Sequence, residues 1–169
     1  NPLKIGLSTC KLQQAKDFLS AYNQKNKIIL VDSYNKQTVN NVQKLDLNVL
    51  KDIDFNTMLF TSGTTGNATG VFKSNKHLDS EVKTLYNLFK EKKIKKVVVT
   101  VPFIHIYGIL FGLLLPKALN ADVIVKKHFL PHDIINECGS NTLIITTPLY
   151  IKSLTKLQET KDISQTTFI

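Results

Sequence analysis

With 169 residues, 43% of them hydrophobic and 21% charged, the chain has the makeup of an ordinary globular protein and can bury a real core. Lysines and arginines outnumber acidic residues by 22 to 13, a net charge of +9 that makes a nucleotide, a nucleic acid, CoA or an acidic carrier protein a candidate partner. Cys10 and Cys138 are too few and too far apart for a disulfide scaffold or a paired zinc site, which predicts reduced thiols and a cytoplasmic protein.

Short β-branched runs alternate with amphipathic stretches, the pattern of an α/β fold in which a layered sheet is flanked by helices. The first residues lack the charged start and apolar block of an export signal, so none is expected. Leu12–Tyr22 has helical spacing, and Ile28–Val31 reads as a strand. Asn35–Asp54 is rich in Asn, Gln and Asp, with one helical-looking patch from Val42 to Leu50. We expect it to connect an amino-terminal βαβ-like piece, residues 1–54, to a core formed by residues 55–169. Met58–Thr61 is the next strand. Leu78–Phe89 follows as a helix with Leu78, Val82, Leu85 and Leu88 on one face.

The run Lys90–Lys96 (KEKKIKK) closes that helix, where lysines suit the dipole. No aromatic residues interleave with it, so we read a solvated helix end rather than a nucleic-acid site. Val97–Val101 is a strand. The most apolar run, Ile104–Leu115, is shorter than the roughly 20 residues that span a bilayer. It predicts no membrane span but a core helix over Ile106–Leu119, the apolar run itself closed by Pro116 and Lys117. Asp122–Val125 and Leu143–Thr146 are strands. Between them a helix covers Asp133–Cys138 with Pro131 near its start, and Pro148 opens a helix through about Leu157. Phe168-Ile169 reads as the start of a buried strand. With a first residue other than Met, this leads us to expect a piece of a longer protein.

Residues 58–74, MLFTSGTTGNATGVFKS, set a glycine and hydroxyl cluster between two apolar segments. Glycines allow consecutive backbone N–H groups to point into one concavity, and Ser and Thr hydroxyls add donors, so Thr61-Ser62-Gly63-Thr64-Thr65-Gly66 can cradle phosphate oxygens. By composition alone an exposed turn between two strands fits equally well. The spacing excludes a Walker A loop and a Gly-x-Gly-x-x-Gly fingerprint. Farther on, Pro102-Phe103-Ile104-His105-Ile106-Tyr107-Gly108 places a histidine and a tyrosine before the apolar helix. A lone histidine in such surroundings is ordinarily a satisfied core or loop residue.

The run Phe60–Gly66 followed by Gly70-Val71 resembles the signature of the AMP-forming acyl/aryl-CoA synthetases, the superfamily that also holds luciferases and nonribosomal adenylation domains. Pro102, His105 and Gly108 fit that family's Pro-x-x-His-x-x-Gly segment. The likeness continues through Ala121–Val125 and Thr146–Tyr150. The resemblance implies part of the amino-terminal domain of an adenylate-forming enzyme, with ATP phosphates held by Thr61, Ser62, Gly63, Thr64, Thr65, Gly66, Thr69 and Gly70, and with Thr61 taking a catalytic part. It implies a substrate wall of His105, Tyr107 and Gly108, and an acyl or aryl acid that becomes an acyl-adenylate for transfer to CoA or an acyl carrier protein. The family's Mg2+ ligand, adenine contacts and mobile domain would lie beyond Ile169, so the chain is expected to be inactive alone. Where the family has Pro-Lys-Gly, this sequence has Ala68-Thr69-Gly70. The nearest replacement for the missing lysine is Lys73, which we assign a catalytic part. Lys73, Leu78, Glu81 and the run His105–Phe111 look most like the ligase-like proteins of aryl polyene and xanthomonadin clusters.

His128 and His132 have the spacing of a helical metal pair, but Pro131 between them argues against a regular helix and no acidic or Cys cluster completes a metal site. There is no Gly-x-Ser-x-Gly elbow of a hydrolase. Glu81 reads as a solvated charge or an ion-pair partner. Two rival readings stay open: a non-catalytic relative that works by binding a partner, marked by the change at Ala68-Thr69, and a basic nucleic-acid binder.

Overall fold

The structure, a computed structural model, describes residues 2–62, 68–157 and 161–169, with backbone alone for residues 62 and 68. Two units are distinguished, Asn1–Glu81 with Phe103–Ile106, and Val82–Pro102 with Tyr107–Ile169.

In the first unit the elements run β1 (Leu3–Leu7), α1 (Lys11–Asn23), β2 (Lys27–Val31), α2 (Lys36–Gln43), α3 (Leu47–Asp52), β3 (Thr57–Ser62), β4 (Ala68–Lys73) and the start of α4 (Asn75–Phe89). The sheet order is β1-β2-β3-β4. β1, β2 and β3 are parallel and β4 is antiparallel to β3. β2 is buried along its whole length, as a continuous apolar run covered on both faces should be. One cluster joins Ile29, Val31, Val42, Leu50, Phe55 and Met58. α1 packs on β1 and β2 and contributes the buried Ala15, Phe18 and Ala21.

The stretch expected to be a connector folds instead into two short helices. Each has the start signal its sequence carries: Asn35 accepts the Thr38 N–H, and Asp46 accepts those of Asn48 and Val49. The end of α3 is closed from a distance. Lys27, buried on β2, donates to the carbonyls of Leu50 at 3.1 Å, Lys51 at 2.5 Å and Ile53 at 2.7 Å, with its ammonium 5.0 Å from the Phe55 ring centroid. Those carbonyls are ones that a helix end leaves without internal partners.

β3 and β4 are bonded into the sheet of the amino-terminal piece, so the units divide within α4 rather than at residue 54. α4 begins at Asn75, earlier than its apolar period suggested, because the Ser74 hydroxyl accepts the His77 N–H in the manner of an N-cap. Its stripe also differs. Leu78 is buried, but Leu88 is 65% exposed, and Phe89, three full turns from Leu78, is the half-buried residue in its place.

The second unit holds the rest of α4, a 3-10 turn (Lys90–Lys92), β5 (Lys96–Val99), a long helix, β6 (Asp122–Val125), α7 (Pro131–Glu137), β7 (Thr142–Ile145), α8 (Pro148–Leu154) and β8 (Thr166–Phe168). Its sheet is wholly parallel, in the order β6-β5-β7-β8. Val98, Ile144, Phe129, Ile134 and Cys138 form a buried cluster. The long helix has the bounds expected for it but is built from α5 (Ile106–Ile109), a π-helical segment Leu110–Leu114 and α6 (Leu115–Leu119). Pro116 therefore sits inside it. Proline lacks an N–H and its ring crowds the carbonyl four residues back, and the wider π turn just before it relieves that conflict.

α7 opens at Pro131, where the Asp133 carboxylate accepts the Leu130 N–H at 2.8 Å, and α8 stops at Leu154. Among the described residues no helix is long and apolar enough to cross a membrane.

Candidate functional site

β3 and β4 pair from Thr57 opposite Lys73 to Ser62 opposite Ala68, so residues 63–67 connect them. That connection leaves the carboxyl end of β3, the edge at which open α/β sheets place their ligands. Gly63, Thr64, Thr65 and Gly66 lie outside the described residues, as does the Ser62 side chain. What is described is the mouth of the hairpin. Thr61 and Thr69 are both exposed and face each other across the pair, with Thr61 Oγ1 3.5 Å from the Thr69 carbonyl oxygen. Directly opposed residues share a face of the sheet, so both hydroxyls stand on the same side beside the connection.

Gly70, next along β4 and opposite Phe60, has a packing reason of its own. A Cβ there would lie 2.2 Å from Cε of Met58, which is buried. Lys73 lies four residues from Thr69, about 13 Å along the strand at roughly 3.3 Å per residue. Its ammonium pairs with Glu81 at 2.7 Å, tying β4 to α4. Glu81 is thus an ion-pair partner.

The second constellation is divided between the units. His105 is exposed and belongs with Phe103–Ile106 in the first unit. That segment is anchored by the Phe103 N–H, which donates to Gln14 Oε1 at 2.9 Å, while Gln14 Nε2 donates to the Ser8 carbonyl at 2.8 Å. Gln14 is 2% exposed, and a glutamine on the buried face of a helix is the one sequence signal that could have pointed to this anchor.

Tyr107 and Gly108 follow Ile106 in α5 and belong to the second unit. The Tyr107 hydroxyl donates to the Thr146 carbonyl at 3.3 Å, and its ring lies 5.3 Å from that of Phe111. Burial pushes the Tyr107 phenol above the ordinary tyrosine value of 10.0, against the smaller opposing effect of that bond. It is a neutral donor near pH 7. Thr100 and Thr146 are buried at the carboxyl ends of β5 and β7. Thr100 Oγ1 donates either to Thr146 Oγ1 at 2.9 Å or to the Ile145 carbonyl at 3.1 Å. A chain of polar groups thus links Thr100, Thr146 and Tyr107 at the carboxyl edge of this sheet, and sequence reading missed Thr100.

Cys138 is buried and its thiol donates to the Ile134 carbonyl; burial holds it above the ordinary thiol value, which makes it a packing residue. Among the described residues no group of three or more His, Cys, Asp or Glu side chains converges as a metal site.

A family model described as AMP-binding enzyme matches residues 8–168. The peroxisomal OPC-8:0-CoA ligase 1 of Arabidopsis thaliana is 31% identical over 137 residues, covering 72% of this chain and 24% of that protein. A 4-coumarate–CoA ligase of Halorhodospira halophila is 34% identical over 88 residues, covering 52% of this chain and 22% of the enzyme. Among solved structures, ATP-bound MatB from Rhodopseudomonas palustris superposes with a TM-score of 0.74 at 16% identity, over 97% of this chain and 43% of that one. The o-succinylbenzoate CoA synthetase of Bacillus subtilis, in complex with ATP and magnesium, gives 0.64 at 15% identity, over 95% and 54%. The chain spans about a quarter of the length of the curated relatives it matches. It belongs to the AMP-binding enzyme family, and its α/β fold is that of the amino-terminal domain of adenylate-forming CoA ligases.

Proposed function

We propose that this chain carries the phosphate-holding part of an ATP-dependent, AMP-forming ligase that activates an acyl or aryl carboxylic acid and passes it to CoA or to an acyl carrier protein. The observation that carries this reading is the hairpin mouth, with the exposed Thr61 and Thr69 hydroxyls opposite each other where the Gly/Thr connection begins and ends. In the first half-reaction a carboxylate oxygen attacks the α-phosphorus of ATP. The bond to the pyrophosphate oxygen breaks, and acyl-adenylate and pyrophosphate result. Catalysis of this step is positioning and charge stabilisation. The hydroxyls of Thr61, Ser62, Thr64, Thr65 and Thr69, with the loop amides around Gly63, Gly66 and Gly70, would hold the departing phosphates. Lys73 serves them only if it leaves Glu81. In the second half-reaction a thiol attacks the acyl carbon and AMP departs.

His105, Tyr107 and Gly108 would line the acyl side. Because the Tyr107 hydroxyl is committed to the Thr146 carbonyl, Tyr107 offers its ring, alongside Phe111, rather than a proton. Mg2+, which accompanies ATP in the Bacillus subtilis complex, is assigned no ligand set among the described residues. The 169-residue chain alone is inactive in this reading.

The test is carboxylate-dependent ATP–pyrophosphate exchange by the full-length protein. Thr61→Ala should lower it at least tenfold, and Thr69→Lys should raise it by restoring a charge-assisted phosphate contact. The lysine-free loop also favours a second reading, a non-catalytic relative that binds a partner. Absence of exchange with every aryl and fatty acid tried, in the natural protein and in Thr69→Lys alike, would leave that second reading standing.

A further inference from the structure

In the second unit a groove of about 420 Å³ lies at the amino ends of β5 and β6. Tyr86 of α4, Lys90 and Lys93 of the following turn, Lys95 before β5, and Leu119 and Asn120 at the end of α6 line it. It is separate from the polar chain at Thr100, Thr146 and Tyr107, because that chain occupies the carboxyl edge of the same parallel sheet and the length of β5 stands between the two.

The groove is strongly basic and its charge is not spent within the unit. Lys96 pairs with Glu137, and Lys126 with Asp133 and Glu137. The ammonium groups of Lys90, Lys92, Lys93 and Lys95 make no ion pair or hydrogen bond among the described residues. Glu91 and the exposed Asp122 are the carboxylates near them in the chain and in the strand register, and neither is paired with them. The helix dipole stabilises lysines only in the last turn, which accounts for Lys90 but not for Lys95. The floor between the charges is apolar, with Tyr86 39% exposed, Leu119 half-buried and Ile94 buried.

We propose that this groove docks an acidic segment of a partner protein, with carboxylates on Lys90, Lys93 and Lys95 and an apolar side chain against Tyr86 and Leu119. Charge complementarity selects an anion. The kind of anion follows from what surrounds the lysines. All 22 basic residues of the chain are lysine and none is arginine, so the planar fork that grips phosphates and base edges in pairs is absent. Among the described residues Tyr86 is the one aromatic side chain lining the groove, too few for a stack of bases. A concave site with an apolar floor suits a protruding side chain flanked by charge, whereas a lipid surface is flat.

The test uses the full chain and three labelled probes at about 50 mM salt: a Glu-rich helical peptide with Leu at intervals, a single-stranded oligonucleotide, and vesicles of mixed phosphatidylserine and phosphatidylcholine. We expect the peptide to bind most tightly and to shift the backbone amides of Lys90–Lys95 and Asn120 in NMR spectra, a readout that needs no variant. Lys90→Gln/Lys93→Gln/Lys95→Gln should weaken peptide binding at least tenfold, with circular dichroism reporting that the fold is kept. The matched set Lys16→Gln/Lys36→Gln/Lys44→Gln, exposed lysines of the first unit, should change it less than twofold. Replacing Leu by Ala in the peptide should cost several-fold. The proposal is overturned if the peptide does not bind, if both lysine sets weaken it equally, if its amide shifts fall elsewhere, or if the oligonucleotide or the vesicles bind more tightly through these lysines.

Discussion

The two units close a helix end with the same device at different depths. In the first, Lys27 reaches from within β2 to three carbonyls at the end of α3, and the lysine is 8% exposed. In the second, Lys161 reaches the Ile135, Asn136 and Cys138 carbonyls at the end of α7, at 2.8, 3.3 and 3.0 Å, but is itself exposed. The bonds are chemically alike. What differs is the alternative: water can replace the exposed Lys161 at its carbonyls, whereas removing Lys27 strands the buried Leu50 carbonyl. The comparison teaches that a lysine's worth to this fold is set by the solvent it excludes, and that the first unit, which carries the β3–β4 hairpin, is the more tightly specified at this point.

The largest effect is therefore expected from Lys27→Met, a loss of about 3 kcal/mol in denaturant unfolding. A loss no greater than that of Lys161→Met would break the comparison. Gly70→Val tests the hairpin of the same unit. Its side chain would meet the buried Met58, and a loss of about 2 kcal/mol follows from overpacking, with Gly70→Ala milder because the Met58 methyl end can swing aside. Thermal unfolding of the two variants side by side checks the ranking. Lys161→Met should cost about 1 kcal/mol or less, since the freed carbonyls meet solvent. The smallest effect concerns the other end of α7. The Leu130 N–H, aided by Lys126, holds the partly exposed Asp133 carboxyl below its ordinary value of 3.8. Its contribution is present above that pH and disappears as pH falls through the lower folded value. Asp133→Asn should flatten the fall in melting temperature between about pH 5 and pH 3; an unchanged fall would show that the contact does not outlast thermal fraying of the helix end.

Most element cores were legible because their apolar residues follow one period over several positions. Ile28–Val31 and Asp122–Val125 are short β-branched runs and emerge as β2 and β6, and the helix over Ile106–Leu119 keeps its expected bounds. Legibility failed where one residue's role depends on another far away. Periodicity could not choose between Leu88 and Phe89 at the end of α4. A lysine before a strand reads as a surface residue, so Lys27 gave no hint that it ends α3. At the candidate site, the hexamer from Thr61 to Gly66 was as good a bare turn as a phosphate cradle until its resemblance to a family was added. The pairing of Thr61 with Thr69 and the commitment of Lys73 to Glu81 were not readable, because both depend on strand register.

By itself the sequence determined the alternation of strands and helices, the glycine and hydroxyl cluster, and the membership of the AMP-binding enzyme family. These are properties of neighbours along the chain, where period, turn residues and motif order act locally. The tertiary structure alone decided the strand order of the two sheets, the opposition of the two threonines at the hairpin mouth, and which lysines are spent and which are free. Register and burial bring together groups that the sequence keeps tens of residues apart, and the energy of a charge or a buried carbonyl is fixed only by what surrounds it.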